Sequence, residues 1–329
     1  MRLLKIITLL LFVNIFGLNA QNNIQDFPHY SQYYFHKAIY NPAYIGYWNQ
    51  PYLTIANQWQ QEPNRNTPVA VQMAWNSFIP QISCGVGLSA SYINYQDDIK
   101  TDQYLISGQF MYEFEMSDKA TARLATSIGA LHYANKEGIN GNNLPAEATI
   151  ERYFKANLDI GAMVEISNFN IGFSVVQASE PKFNFYAAPY YDSSNIFALG
   201  ATFDKKGYVM LSYLWDINEN FSVEPHVLFR QFLGVRNSLS QPIGQRRANA
   251  AAADFTLVGS YQKKYFLGGS MLYNDRFYSA HLMAALKLGS DLRASVSYDM
   301  PQSIWRGKGY SKFEIGLSWW YDLSDEDEN

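Results

Sequence analysis

The pair of residues best placed to do chemistry is Glu224 and His226. They stand two apart in the run Val223–Phe229. In an extended chain both side chains therefore leave the same face. A carboxylate beside an imidazole can move protons. Hydrolysis would also need an activated nucleophile, and the chain has no Gly-x-Ser-x-Gly turn to supply one. The remaining histidines, at 29, 36, 132 and 281, form no i, i+4 pair and no cluster with cysteine, so no metal ligand set is predicted. Phosphate-cradling and dinucleotide-binding glycine loops are absent. Gly85-Val86-Gly87 falls inside a strand and reads as a small pair there. The net charge of −4 gives no pull toward nucleic acid. The expectation is a non-enzyme with no catalytic residues, no metal and no cofactor.

The stretch Phe154–Gln177 shows what positions such residues. Ala156, Leu158, Ile160, Ala162, Val164 and Ile166 alternate with Lys155, Asn157, Asp159, Gly161, Met163 and Glu165. After Ser167-Asn168 the alternation resumes, with Phe169, Ile171, Phe173 and Val175 set against Asn170, Gly172 and Ser174. Period two means strand, and two such runs about a two-residue polar turn make a β-hairpin. One face is apolar and aromatic; the other is small, polar and charged. A strand between lipid and a watery lumen has that division.

Composition agrees. Aromatics make up 16% of the 329 residues, tyrosine alone counts 25, and charged residues are also only 16%. Mean hydropathy is −0.22, so the chain is not greasy on average. Arg2 and Lys5, then Ile6–Phe16, then Leu18-Asn19-Ala20 read as a signal peptide over 1–20, cleaved after Ala20. No later stretch is long and apolar enough for a transmembrane helix. Cys84 is the one cysteine, so no intrachain disulfide can form. The expected division is 1–20 signal peptide, 21–50 N-terminal segment, 51–323 barrel and 324–329 acidic tail.

About fifteen alternating runs can be counted, whereas bacterial single-chain barrels have an even number. Loop length settles the parity. If Phe197–Trp215 is one strand kinked at Asp204–Gly207, the short turns all fall on one rim. The long loops at 135–152, 178–195, 234–251 and 300–311 then fall on the other. We therefore predict an all-β, transmembrane antiparallel β-barrel of fourteen strands, with an N-terminal non-barrel segment, in the outer membrane. Ala248–Ala253 is expected to lie in a long loop. Inward positions include Arg123, Lys155, Asp159, Glu165, Glu224, His226, Arg230, Asp254, His281, Lys287, Arg293, Asp299 and Glu314. Their mixed signs suit a lumen crossed by salt bridges or filled by a plug better than an ion-selective pore.

Residues 27–48, FPHYSQYYFHKAIYNPAYIGYW, do not alternate cleanly. Asn41-Pro42 reads as a turn start, because the proline ring pushes Asn41 out of the helical region. Gly46 supplies a bend, and Ser31–Tyr40 is expected as a short amphipathic helix leading into the turn. The segment packs under or inside the barrel. This phrase resembles the N-terminal signature of the PorP/SprF family, membrane proteins of the Bacteroidetes type IX secretion and gliding machinery. The matching positions are Pro28, Ser31, Gln32, Tyr33, Asn41, Pro42, Ala43, Tyr44 and Gly46. The chain departs from the pattern at Tyr30, His36 and Ile45, and Asn57-Gln58-Trp59 resembles the family's next landmark. The resemblance implies a barrel like that of the long-chain fatty-acid transporters. It also implies a part in type IX protein secretion or gliding-associated adhesin secretion, as a membrane scaffold for exported surface proteins. The implied partners are periplasmic and outer-membrane components of that machinery, secreted surface proteins with a C-terminal sorting domain, and the lipid bilayer. The alternative is an outer-membrane transporter or porin for small solutes.

Overall fold

The computed structural model describes residues 30–48, 50–61, 69–95, 101–135, 152–179, 182–185, 199–202, 205–233, 251–274, 278–300 and 311–320. Fourteen antiparallel strands form a closed ring. They are β1 Tyr52–Gln61, β2 Val69–Ile79, β3 Cys84–Tyr95, β4 Thr101–Ser117, β5 Ala120–Asn135, β6 Arg152–Ile166 and β7 Phe169–Val176. The ring continues with β8 Lys206–Tyr213 and its extension Trp215–Asp216, β9 Phe221–Phe232, β10 Ala251–Tyr261, β11 Tyr265–Asn274, β12 Tyr278–Leu288, β13 Leu292–Asp299 and β14 Ser311–Trp320. Each strand pairs with its neighbours in sequence, and β1 pairs with β14 from Tyr52↔Trp320 to Gln61↔Ser311. Closure leaves no sheet edge, which is the condition for a sheet to cross lipid.

The alternation has the expected sense. On β4 the side chains of Tyr104, Ile106, Phe110, Tyr112 and Phe114 are exposed on the outer face, while Gln103, Ser107 and Met111 are buried. Ile160, Ile166, Phe169 and Phe173 likewise face outward, and Asn157, Met163, Asn170 and Ser174 point in. Short turns lie on one rim. Ile166 pairs with Phe169 across Ser167-Asn168, with Ser167 in the left-handed region at φ 54°. Leu288 pairs with Leu292 across a turn begun by Gly289 at φ 72°.

Three expectations change. The run Phe197–Trp215 is not one wall strand. Only its second half, from Lys206, joins the barrel, pairing with both β7 and β9. Leu199–Thr202 pairs instead with Lys182–Phe185 in a separate two-stranded sheet. The count of fourteen survives because that first half adds nothing to the ring. Ala251–Ala253 is not loop but the start of β10, opposite Gln231, Arg230 and Phe229, and all three alanines are buried. Finally, Ser31–Tyr40 forms no α-helix. It makes turns and a 3-10 turn at Lys37–Ile39, followed by another at Pro42–Tyr44. The expected long loops of the other rim, the expected signal peptide over 1–20 and the acidic tail lie largely or wholly outside the described residues. No described helix is long and apolar enough to cross a membrane.

The core of the molecule is the lumen. Tyr30–Trp48 runs inside the ring. At one end the Trp48 ring meets that of Trp320, the last residue of β14 on the short-turn rim, with centroids 6.4 Å apart. Toward the other end, Ser31 Oγ donates to Asp299 Oδ1 (2.6 Å), and Asp299 is the last residue of β13. The segment thus covers most of the barrel's height as a plug.

Candidate functional site

Three of the places that hold the plug are each built from a different chemistry. The first is ionic. Glu314 points inward from β14, and its carboxylate accepts from the backbone N–H of Ser31 (2.8 Å) and of Gln32 (3.1 Å). Gln58 Nε2 and Ser297 Oγ donate to the same carboxylate, and the Gln32 side-chain amide donates to the Glu314 carbonyl. Behind it a relay of charges crosses the wall. Lys312 Nζ lies 3.0 Å from Asp299 and 3.5 Å from Glu314, and His281 bridges Asp299 (3.1 Å) and Asp254 (3.3 Å). Thr256 and Ser270 hydroxyls complete the shell of Asp254. Buried charges are tolerated only when paired and hydrogen-bonded, and these are.

The second place surrounds Lys37. Its ammonium sits over the rings of Tyr47 (5.1 Å), Tyr34 (5.3 Å) and Tyr44 (5.6 Å), all three from the plug itself. Glu224 on β9 supplies the counter-charge at 3.4 Å, accepts from the Tyr34 hydroxyl at 3.0 Å, and lies 3.0 Å from His226 Nε2. Desolvated cation–π contacts contribute about 2 kcal/mol. The Glu224–His226 pair thus positions a lysine and shows no nucleophile beside it among the described residues.

The third place is steric. Asn41 is the extended residue before the 3-10 turn at Pro42–Tyr44, and its side-chain oxygen accepts from Ala43 N at 2.9 Å. Its amide nitrogen donates to the Ala162 carbonyl of β6 at 3.0 Å. Ser174 Oγ donates to the Tyr40 carbonyl at 2.5 Å. The turn fits because the wall carries glycine there. A Cβ on Gly161 would run into the Asn41 amide and the Pro42 ring, and one on Gly172 would come within 2.8 Å of Asn41 Nδ2. Gly85 faces Ile45 in the same way, so the Gly85-Val86-Gly87 pair is lumen-facing, as its run predicts. Gly46 turns the chain with φ 68° against Phe78.

His36 binds Thr54 of β1 through Nδ1 at 2.9 Å. Cys84 is a buried free thiol whose Sγ donates to the Ile82 carbonyl, a small strand residue.

Of the nine signature positions, Ser31, Gln32, Tyr33, Asn41, Pro42, Ala43, Tyr44 and Gly46 are all buried in the plug. Pro28 lies outside the described residues. The inward charges predicted from alternation at Arg123, Glu224, His226, Asp254, His281, Arg293, Asp299 and Glu314 do line the lumen. Lys155 is exposed near the long-loop end of β6. Sequence reasoning missed that Glu314, Asp299 and Glu224 are the receptors of the plug. The one signal it offered was glycine at inward positions 85, 161, 172 and 316, where the wall makes room.

A family model, Type IX secretion system membrane protein PorP/SprF, matches residues 22–319. Among solved structures, the CymD monoaromatic hydrocarbon channel aligns over 94% of this chain and 98% of its own, with TM-score 0.56 and 8% identity. The Pseudomonas putida toluene transporter TodX aligns over 92% of this chain and 96% of its own, with TM-score 0.50 and 10% identity. At such identities the likeness is one of fold. No curated protein matches the chain in sequence. With its fourteen-stranded closed barrel and a family match along nearly its whole length, this outer-membrane protein belongs to the PorP/SprF family of type IX secretion system membrane proteins.

Proposed function

We propose that the protein is a non-enzymatic scaffold of type IX secretion, a plugged barrel that holds exported surface proteins at the outer membrane instead of passing small solutes. One observation carries the reading: the lumen is occupied along its height by a segment fixed through buried charge-assisted hydrogen bonds. In this reading residues 1–20 are removed on export, 21–50 form the plug, and 51–323 form the barrel. The short-turn rim, where the plug joins β1, faces the periplasmic machinery. The long loops face the exported partner, a surface protein with a C-terminal sorting domain.

A deletion strain should retain or degrade its large surface proteins while solute uptake stays normal. Restoring the gene with Asn41-Pro42 replaced by Ala-Ala should complement weakly even where the barrel reaches the outer membrane, because the seated turn relaxes. Surface proteomics and planar-bilayer conductance of the purified protein check this together. Unchanged surface proteins in the deletion, with a stable open channel in bilayers, would instead support a small-solute transporter.

A further inference from the structure

A hollow of about 420 Å³ lies on the outer face of the barrel, across β6–β9. Strand register explains it. Ile160, Val175, Gly207 and Gln231 form one row of directly paired positions, and Ala162, Phe173, Val209 and Phe229 form the row beneath. Both rows face outward, since their chain neighbours Met163, Ser174, Tyr208 and Leu228 are buried toward the lumen. The upper row has no side chain at Gly207, and the lower has only a methyl at Ala162. The surface therefore sinks between the Phe173 and Phe229 rings. Leu233 overhangs the gap: a Cβ on Gly207 would lie 3.2 Å from its side chain. Regular pairing of β7, β8 and β9 ends one position further toward the long-loop rim, at Val176, Lys206 and Phe232. Of the described outward side chains that line the hollow, only Gln231, at the long-loop end, is polar.

We propose that this hollow holds one acyl chain of a membrane lipid, with the ester end toward Gln231. Its surroundings at that depth are hydrocarbon, because Ile160 stands on the lipid side mid-way along β6. Water does not fill an apolar cavity, and an empty one forfeits dispersion contacts along its lining. Size agrees. A cavity of about 150 Å³ holds one benzene ring, so about 420 Å³ takes roughly a dozen methylenes of a single chain. Polarity agrees as well, with an apolar floor and walls and one amide at the end where a lipid's ester lies. Elsewhere, as at the exposed Leu267 and Leu282, lipid meets a face covered by side chains and has nothing to enter. The inference needs the membrane barrel but not the secretion reading.

The test is photo-crosslinking of the purified full-length protein in lipid nanodiscs that contain a phosphatidylethanolamine with a diazirine midway along one acyl chain. Labelled peptides are then mapped by mass spectrometry. We expect labelling around Ile160, Val175 and Gln231 to exceed that around Leu267 and Leu282 at least about fivefold. Gly207→Phe, which fills the hollow, should bring the two regions level. Gly108→Phe, on the outer face of β4 where a Cβ meets nothing within 4 Å, should leave the preference intact. Each variant is compared only if it keeps heat-modifiable migration. Should Gly207→Phe not assemble, Ala162→Phe fills the hollow from β6 and gives the same comparison. Even labelling around the native barrel overturns the proposal. So does a preference that survives the filling variant, or one seen with free diazirine-bearing palmitate and not with the phospholipid.

Discussion

The carboxylate of Glu314 accepts from two consecutive backbone N–H groups, and removing it would leave both orphaned in a buried site. Each such loss costs about 1–3 kcal/mol. Glu314→Leu should therefore unseat the upper plug, while Glu314→Gln, which keeps an acceptor, should do so far less. Limited proteolysis of the N-terminal segment in folded barrels reads this out; equal resistance in both variants would count against Glu314 as the anchor. Shape makes a separate demand. Gly161→Val should expel the Asn41 turn, whereas Gly108→Val should be silent, because a Cβ at Gly108 meets nothing within 4 Å. The same proteolysis assay separates them, and a protected plug in Gly161→Val would show that the turn does not depend on that hollow.

At the scale of the element, each strand divides lipid from lumen, and the cost of a charge depends on which side receives it. Ile160, mid-way along β6 and 52% exposed on the outer face, meets lipid. Ile160→Arg should lower barrel stability by about 2–4 kcal/mol, the cost of such a charge at the bilayer midplane. Asn157→Arg, on the lumen face near Asp159, should cost much less. Urea titration of both variants in lipid vesicles gives the comparison, and similar losses would mean that the faces are assigned wrongly. The plug obeys another rule. It has no repeating pattern, and its two 3-10 turns persist because the wall satisfies their backbone and hollows out beneath them.

For the whole molecule, closure and filling belong together. Fourteen strands leave a lumen too wide for wall side chains alone to fill, and the plug completes it with aromatic rings such as Tyr33, Tyr40 and Tyr44. Because every wall strand is paired on both sides, the folded protein should resist detergent and shift in gel mobility only on boiling. Mainly helical circular dichroism, or recovery in the soluble fraction, would contradict the barrel. The filled lumen should also keep bilayer conductance negligible in the native protein and raise it in Gly161→Val; a large conductance already in the native protein would mean that the plug does not seal.

Strand identity, the direction of each face and the parity of the barrel were legible in the amino-acid order, because period-two alternation and loop length are local properties. Leu158 and Ile160 could be assigned to lipid, and Glu224 and His226 to one inward face, without any knowledge of the fold. The N-terminal phrase was visible as a motif for the same reason. Its seat was not. Ser31 and Glu314 are 283 residues apart, and only closure of β14 onto β1 brings that carboxylate to the plug. Periodicity also gave no reason to end the wall strand near Lys206 or to begin β10 at Ala251, because both boundaries depend on which neighbours remain available for pairing. The tertiary structure decided the partners of the inward charges and the hollows at Gly161 and Gly172. Each is a meeting of side chains from strands far apart in sequence, and no local pattern records such meetings.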